Sequence, residues 1–351
     1  MRARIAACAA TATAVVATMG VAASAATSPP PPKTFGGATA TVFATGLKNP
    51  TSFAWGDGAM FAGDAGSSEK TPDGGVDIIA NGTATMVPNG PAFVGGMAWH
   101  DNSLYLSDAY LTSTGPSFRI EQWSGFTGSD FTTRTVLYTA PAGFEGFNGI
   151  AFTPGGRLLV GVDTGLLNHN DHGKASKSPF LYDILSMKPN GKDVKVFASG
   201  IRQPWQMAFA PHSRAPFVSD LGQDGPKKVE KLGPPDFLLK VHQGDNYGFP
   251  KCNHTGVPAG SCKGDAKPFK MFKPHTDVMG VAVMGNKLYF GSFLGKNGKG
   301  GALYSMSIKG GKASPVVTGF PAATDALAAN GGYLYVGGSG PAGGVVYQVK
   351  P

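Results

Sequence analysis

One polar loop carries the densest set of chemically active side chains in this sequence. The segment from Asp163 to His172 contains His169, Asp171 and His172 within four positions. Imidazole and carboxylate groups at this spacing suit either metal binding or proton transfer. A solvated surface loop is the alternative interpretation that the same residue types allow. We take His169 and His172 as candidate catalytic groups.

A second set of acidic residues recurs at the ends of short apolar runs. Asp64, Asp108, Asp163 and Asp220 each follow such a run. Carboxylates at equivalent repeat positions commonly brace turns by accepting hydrogen bonds from backbone N–H groups. Carboxylates that converge around a channel would instead bind calcium. The pattern favours the bracing role and leaves calcium as the alternative.

These polar groups are interleaved with a repeating pattern of predicted strands. The 351 residues include 52 glycines and 27 prolines, only 15% are charged, and alternating apolar runs are separated by turn residues, which predicts an all-β fold. The runs recur in six units, each with a small-residue inner strand and an aliphatic second strand. The predicted inner strands are 51–55, 95–99, 149–152, 206–209, 280–283 and 326–329. The predicted second strands are 60–63, 104–107, 158–161, 216–219, 288–291 and 334–337.

The outer strands indicate how the repeat closes. Third strands are predicted at 180–185, 302–306 and 345–349, and fourth strands at 194–198 and 314–317. The sixth unit stops after its third strand, while a spare strand at 40–44 precedes the first unit. The spare strand would complete the last unit and protect its edge from pairing with other chains. We therefore predict a six-bladed β-propeller closed by an N-terminal strand.

The N-terminus has the pattern of a targeting segment. Arg2 and Arg4 precede an apolar run from Ile5 to Ala22, and the small residues Ala23, Ser24 and Ala25 follow. This order predicts a signal peptide over 1–25 and secretion. A proline-rich tether over 26–37 and a propeller domain over 38–351 follow. The rest of the sequence contains no uninterrupted apolar stretch long enough to span a membrane.

Charge and cysteine content narrow the function classes. The formal net charge of +8 is spread along the chain rather than clustered, which argues against nucleic-acid binding. Cys252 and Cys262 are the cysteines that remain after the signal segment, and an oxidising compartment favours a disulfide between them. A metal site would need more ligands than these two and His254 provide.

Several motifs in the second half of the chain resemble a known family. Phe197-Ala198-Ser199-Gly200-Ile201-Arg202-Gln203-Pro204 and Asn246-Tyr247-Gly248-Phe249-Pro250 are the most specific, and Asp183–Gly191 and Pro274–Thr276 are weaker matches. They are similar to motifs of the soluble sugar dehydrogenases that use pyrroloquinoline quinone (PQQ), the glucose/sorbosone dehydrogenase family. The resemblance implies a cofactor lying over the central channel, a bridging calcium ion, a histidine base and hydride transfer to the quinone.

The resemblance also implies site residues, with several departures from the family pattern. Gln203 stands where the family has asparagine, and lysines at 227, 228 and 231 occupy positions that are usually acidic or asparagine. The implied cofactor contacts are Arg202, Gln203, Asn148, His275, Lys296 and Lys299. The implied metal-site residues are Asp224, Gly225, Pro226 and Tyr247.

The largest departure concerns the catalytic base. The family places histidine just before the third inner strand, whereas this chain has Glu145 in the segment Gly143–Gly149. Glu145, His169 and His172 are therefore the candidate bases. The leading hypothesis is a PQQ- and calcium-dependent dehydrogenase that oxidises a sugar or aldehyde and passes electrons to an external acceptor. The alternatives are a non-catalytic propeller that binds glycan or protein, and a calcium-assisted hydrolase or lactonase.

Overall fold

The computed structural model describes residues 31–67, 73–113, 115–163, 178–222, 235–254, 261–274, 276–293, 301–320, 325–340 and 343–351. These residues form strands, numbered β1 to β25 along the chain, and no helix. The described part of the chain therefore has no helix that is long and apolar enough to cross a membrane. The prediction of an all-β protein is confirmed.

Most strands belong to six antiparallel meanders, which we number in chain order by their innermost strands. The innermost strands are β3 (Pro50–Gly56), β7 (Phe93–His100), β11 (Phe147–Phe152), β15 (Pro204–Phe209), β19 (Val278–Met284) and β23 (Ala326–Asn330). The second strands are β4 (Ala59–Asp64), β8 (Ser103–Thr112), β12 (Leu158–Val162), β16 (Pro216–Asp220), β20 (Lys287–Ser292) and β24 (Tyr333–Gly340). We call the edge where innermost strands begin and second strands end the upper edge, and the opposite one the lower edge.

The outer strands complete each meander. The third strands are β5 (Gly75–Ala80), β9 (Gly115–Phe126), β13 (Ile184–Met187), β17 (Phe237–Lys240), β21 (Gly301–Ser307) and β25 (Gly343–Lys350). The fourth strands are β6 (Thr83–Met86), β10 (Phe131–Thr139), β14 (Lys195–Ala198), β18 (Lys270–Met271), β22 (Ser314–Phe320) and, in meander 6, β2 (Thr39–Leu47). A short strand β1 (Lys33–Thr34) adds to β22.

The N-terminal strand β2 pairs with the C-terminal strand β25. The register runs antiparallel from Thr39 opposite Lys350 to Leu47 opposite Gly344. A short parallel contact of Thr45 with Thr83 then joins β2 to β6, which merges meanders 6 and 1 into one eight-stranded sheet. The predicted spare strand therefore lies beside the last strand of the chain.

Each innermost strand contacts the innermost strand of the next meander, and β23 contacts β3 in turn. Small residues are required where these strands meet. A side chain on Gly149 would collide with the backbone oxygen of Trp205, and one on Gly96 would come within 2.7 Å of the Gly149 Cα. The small-residue character that predicted the inner strands thus has a steric cause.

The hydrophobic core lies between neighbouring meanders rather than at one centre. Phe61 of β4 stacks on Trp99 of β7, with ring centroids 5.6 Å apart. In the interface between meanders 4 and 5, Phe217 of β16 packs with Leu238, Val281 and Phe290. Burial of these side chains removes large apolar areas from water and holds adjacent meanders together.

One polar side chain crosses the central axis. The Oε1 atom of Gln206, in β15, accepts hydrogen bonds from the N–H groups of Val281 and Leu327, each at 3.2 Å. Its Nε2 donates to the carbonyl oxygen of Thr51 at 2.8 Å. A single side chain from meander 4 therefore binds meanders 5, 6 and 1. It also lines an axial cavity of about 210 Å³ between the innermost strands.

Three details of the predicted strands need correction. The predicted third strand at 180–185 begins only at Ile184, because Phe180 and Tyr182 have φ angles of 61° and 68° and form a turn. Asp108 lies inside β8, which continues to Thr112, and Asp163 follows the end of β12 by one residue. The alternation of apolar and polar residues does not predict the end of a strand that continues, paired with its neighbour, beyond a charged residue.

We predict that Gln206→Ala lowers the free energy of unfolding by about 2–4 kcal/mol, since it leaves two buried N–H donors and one carbonyl without partners. Urea unfolding measures the change. Gln348→Ala is the matched control, because its side chain makes one partly buried bond, of 3.0 Å to Tyr335 Oη. An equal effect of the two substitutions would show that the axial bonds contribute no more than an ordinary surface bond.

Candidate functional site

Two carboxylates at the upper edge brace the turns that precede innermost strands. Asp64 accepts the N–H groups of Lys48 and Asn49 at 2.7 and 2.9 Å. Asp220 accepts the N–H of Gln203 at 2.8 Å and also that of Arg202. In both meanders a basic residue, a polar residue and a proline form the turn. The predicted bracing role is therefore what these two side chains perform.

The basic residue of each turn is held by backbone carbonyls. Lys48 Nζ donates to the carbonyl of Asp73 at 2.6 Å and forms an ion pair with its carboxylate at 2.8 Å. Arg202 Nη1 donates to the carbonyls of Leu221 and Gly222 at 2.8 and 2.7 Å, and Arg202 is 3% exposed. Arg202 thus fixes the start of the chain segment that follows β16.

A second group of polar residues meets at the junction of meanders 3 and 4. The N–H of Asp163 donates to the carbonyl of Gly146 at 2.8 Å, so Asp163 lies beside the turn that contains Glu145. Gln203 Nε2 donates to Asp163 Oδ1 at 3.3 Å. Glu145 is half-buried. Asp163, Gln203 and Arg202 therefore form one polar region, which we call the 3/4 junction, and Glu145 lies in the adjoining turn, next to Gly146.

Asn148, in β11 beside this junction, is fully buried. Its backbone oxygen accepts a 2.5 Å hydrogen bond from Ser107 Oγ. Both polar atoms of its side chain lack a hydrogen-bond partner among the described residues. An unpaired buried amide is costly, so such a group calls for a ligand, a water or a neighbour to satisfy it.

Asp108 is the corresponding feature of meander 2. It is 1% exposed, and neither carboxylate oxygen has a hydrogen-bond partner in the described part of the chain. Burial, and then repulsion from Glu121, raises the pKa of Asp108 well above its usual range, while Arg119 opposes the shift. Burial therefore favours the protonated form of Asp108.

Other buried carboxylates of the upper edge behave similarly. Burial raises the pKa of Asp220 to about 7 and that of Asp325 to about 7. Burial, and secondarily repulsion from Asp64, raises the pKa of Asp77 to about 7 as well. The bracing role of Asp64 and Asp220 rests on the backbone N–H groups that they accept.

Tyr247 and the cysteines lie together below Arg202. Cys252 and Cys262 form a disulfide, which confirms that prediction. Tyr247 is buried, and its hydroxyl donates to the carbonyl of Lys240 at 3.0 Å, toward the lower edge. A cavity of about 10 Å³, with room for about one water, lies between Tyr247, Arg202, Asp220 and Cys252. Tyr247 therefore directs its hydroxyl away from the upper edge.

The remaining predicted site residues lie outside the described residues. They are His169, His172, Asp224, Gly225, Pro226, His275, Lys296 and Lys299.

Two important polar residues escaped the sequence interpretation. Asp236 accepts the N–H groups of Gly222, Thr276 and Asp277 at 2.7, 2.8 and 2.9 Å, and so links meanders 4 and 5. Gln206 crosses the axis. A signal for Gln206 existed, because the other innermost strands carry Ser, Gly or Ala at the equivalent position. Asp236 has no such repeat signal.

The chain is similar in structure to several sugar-oxidising proteins. Neither a protein-family model nor a curated protein sequence matches it. An oxidoreductase described as a glucose dehydrogenase from Thermus thermophilus is 19% identical, with a TM-score of 0.69 over 89% of this chain and 100% of that one. The PQQ-bound aldose sugar dehydrogenase of Streptomyces coelicolor is 19% identical, with a TM-score of 0.64 over 90% and 100%.

A fungal enzyme extends the comparison. The calcium structure of a Trichoderma reesei carbohydrate-active enzyme is 14% identical, with a TM-score of 0.71 over 92% of this chain and 97% of that one. At these identities the comparisons establish the fold alone. The chain is a propeller-like protein whose fold is shared with PQQ-dependent soluble sugar dehydrogenases.

We predict that Asp77 makes stability fall as pH rises. Its folded-state pKa of about 7 exceeds the ordinary value of 3.8, so between about pH 4 and 7 the folded state holds a proton that the unfolded state has lost. The free energy of unfolding therefore decreases over that window. Asp77→Asn, neutral at every pH, should be more stable than the native protein by about 1–3 kcal/mol at pH 8, and by less at pH 5.

Urea unfolding at pH 5 and pH 8 measures this difference. Asp57→Asn, in an exposed turn at the lower edge, is the control and should leave the pH dependence unchanged. A native-like slope in Asp77→Asn would contradict the assignment.

Proposed function

We propose that this protein is an extracytoplasmic, PQQ-dependent dehydrogenase that oxidises a hydroxyl or aldehyde group of a small sugar or related aldehyde and passes the electrons to an external acceptor. The observation that carries the proposal is the 3/4 junction. Asp163, Gln203 and Arg202 come together there, next to the turn that contains Glu145, in the two repeats to which the family motifs assign the base and the cofactor. The fold shared with a PQQ-bound aldose sugar dehydrogenase and with the calcium structure of a carbohydrate-active enzyme supports it.

The architecture that we propose is a six-bladed propeller closed by the N-terminal strand. Six innermost strands contact one another in cyclic order, and β2 supplies the fourth strand of meander 6 through its pairing with β25. Each meander would then be one blade. In this arrangement the 3/4 junction lies on the face of the ring formed by the upper edges.

The junction offers an anionic quinone one cation and one amide, next to the carboxylates of Asp163 and Glu145. An anionic cofactor requires positive charge and N–H donors. Arg202 supplies the charge, and the Asn148 side chain offers an amide with no partner in the described part of the chain. Because Arg202 Nη1 already donates to two carbonyls, Arg202 would act mainly through its charge and by fixing its loop. Calcium binding by Asp224, Gly225 and Pro226 is part of the proposal and rests on the family motif.

The bound quinone would supply an acceptor for hydride from the substrate carbon. The protein must then remove the proton of the substrate hydroxyl, which is a general-base task. Glu145 is our candidate base, because it is half-buried and precedes Gly146, whose carbonyl accepts the N–H of Asp163. Gln203 would hold the Asp163 carboxylate in place through its 3.3 Å bond. His169 and His172 are the alternative bases.

Export supports the choice of an external electron acceptor. A signal peptide over residues 1–25 and the Cys252–Cys262 disulfide are both consistent with an oxidising compartment. A secreted dehydrogenase has no access to cytoplasmic nicotinamide pools. A tightly held quinone that is reoxidised from outside would suit this location.

We predict that Glu145→Gln retains PQQ binding but loses turnover by at least about 100-fold, as expected when a general base is removed. Titration of the mature protein with PQQ and calcium, followed by tryptophan quenching, measures binding. Reduction of an artificial dye with a panel of aldoses and aldehydes measures turnover. Asp57→Asn, on the opposite edge, serves as the matched carboxylate control and should retain both.

The outcomes separate the parts of the proposal. Saturable calcium-dependent binding together with dye reduction supports the dehydrogenase. Absence of quinone binding by the native protein overturns it and favours a binding propeller. Native turnover in Glu145→Gln removes Glu145 as the base and directs attention to His169 and His172.

A further inference from the structure

The lower edge carries a groove that the proposed reaction does not use. It has a volume of about 610 Å³, within the range of small-molecule binding sites, and lies between the outer part of meander 3 and meander 4. The turn from β11 to β12, the first residues of β14, the turn from β15 to β16 and the residues after β17 form its walls. We call it the rim groove. The 3/4 junction lies at the opposite edge of the same two meanders.

Arg157 is the fixed cation of the rim groove. Its Nε donates to Ser186 Oγ at 2.7 Å, and its Nη1 donates to Asp193 Oδ2 at 3.0 Å. Its Nη2 donates to the backbone oxygens of Asp193 and Ser186 at 2.8 and 3.3 Å. A guanidinium held by four hydrogen bonds and still one-third exposed loses little side-chain entropy when a ligand binds beside it.

Two further cations line the groove. Lys195 Nζ lies 2.9 Å from Asp193 Oδ1, and the Lys195 side chain is 64% exposed. Arg214 is exposed and has no ion pair or hydrogen bond within the part of the chain that the structure describes. Lys195, Arg157 and Arg214 together carry three positive charges, against the carboxylate of Asp193 and that of Asp245, which lies 3.3 Å from Nδ1 of the lining residue His242. An anion would restore the balance.

The groove also offers an apolar wall and neutral hydrogen-bonding groups. Val196, in β14, is 45% exposed, and Pro154 also lines the groove. Thr153 and Gln243 contribute hydroxyl and amide groups. Sugar rings combine an apolar C–H face with hydroxyl groups, so this mixture suits a carbohydrate better than an inorganic anion.

We propose that the rim groove binds an acidic oligosaccharide, with a uronate carboxylate paired to Arg214 and the sugar ring lying against Val196. Arg214 pairs with the carboxylate because its guanidinium is exposed, bidentate and not neutralised by a neighbour. Arg157 and Lys195 add positive potential from the other side of the groove. This site is independent of the dehydrogenase proposal, since it shares no residue with the 3/4 junction.

The test uses the intact mature protein and short oligogalacturonates as the probe, with binding measured by isothermal titration calorimetry. The native protein should bind the free acid and not the fully methyl-esterified oligomer, which has the same sugar rings without the charge. Arg214→Gln should weaken binding about tenfold, the loss expected for one exposed charge-assisted pair. Lys287→Gln, which removes one exposed positive charge at the start of the second strand of meander 5, should bind as the native protein does.

Three results would overturn the proposal. They are equal binding of the esterified oligomer, equal weakening by Arg214→Gln and Lys287→Gln, and tighter binding of a polyol-phosphate oligomer than of the galacturonate. Equal binding of the esterified oligomer would show that the groove does not recognise the carboxylate. Equal weakening by the two substitutions would show that only the overall charge matters, and tighter binding of the phosphate oligomer would make the groove a phosphate site. Because each readout is binding rather than turnover, none of them depends on dehydrogenase activity.

Discussion

The hydrogen bonds of Gln206 across the central axis are the constraint on which the arrangement of innermost strands depends. Six strands that converge on one axis leave backbone N–H groups that no neighbouring strand in the same sheet can satisfy. Gln206 accepts from the N–H groups of Val281 and Leu327, and the same side chain donates to the carbonyl oxygen of Thr51. The glycines of the other inner strands then allow the close approach that lets a side chain from β15 reach the opposite meanders.

The upper edge is organised by a second rule, which links stability to the candidate site. Carboxylates such as Asp64 and Asp220 hold the turns that start innermost strands, and the basic residue of each turn is held in exchange by backbone carbonyls. This arrangement buries carboxyl groups such as Asp220, and burial raises their pKa values. The same framework sets Gln203 beside Asp163, so the residues that support the fold also shape the polar junction between meanders 3 and 4.

Much of the fold could be predicted from the sequence, because period-two alternation and small-residue strands repeat along the chain. Every predicted inner and second strand lies within an observed one, and the spare N-terminal strand pairs as expected with β25. The turn at Phe180 and Tyr182 was not predictable, since bulky residues with positive φ contradict their own propensities. The site was less accessible to prediction. The association of Gln203 with Asp163 depends on a contact between two repeats, and sequence spacing within one repeat carries no information about it.

The pairing of β2 with β25 has a consequence for how the chain reaches its native state. Strand β2 is synthesised early and β25 at the end of the chain. Because Thr39 of β2 lies opposite Lys350 of β25, β2 must remain without this partner until β25 has been made. Contacts of such long sequence separation form slowly and leave an edge strand open in the meantime. During synthesis, therefore, a molecule that stops short of its final eight residues would hold five complete meanders and an orphaned first strand. Such a molecule would be prone to pair with another copy of itself through its open strand edges.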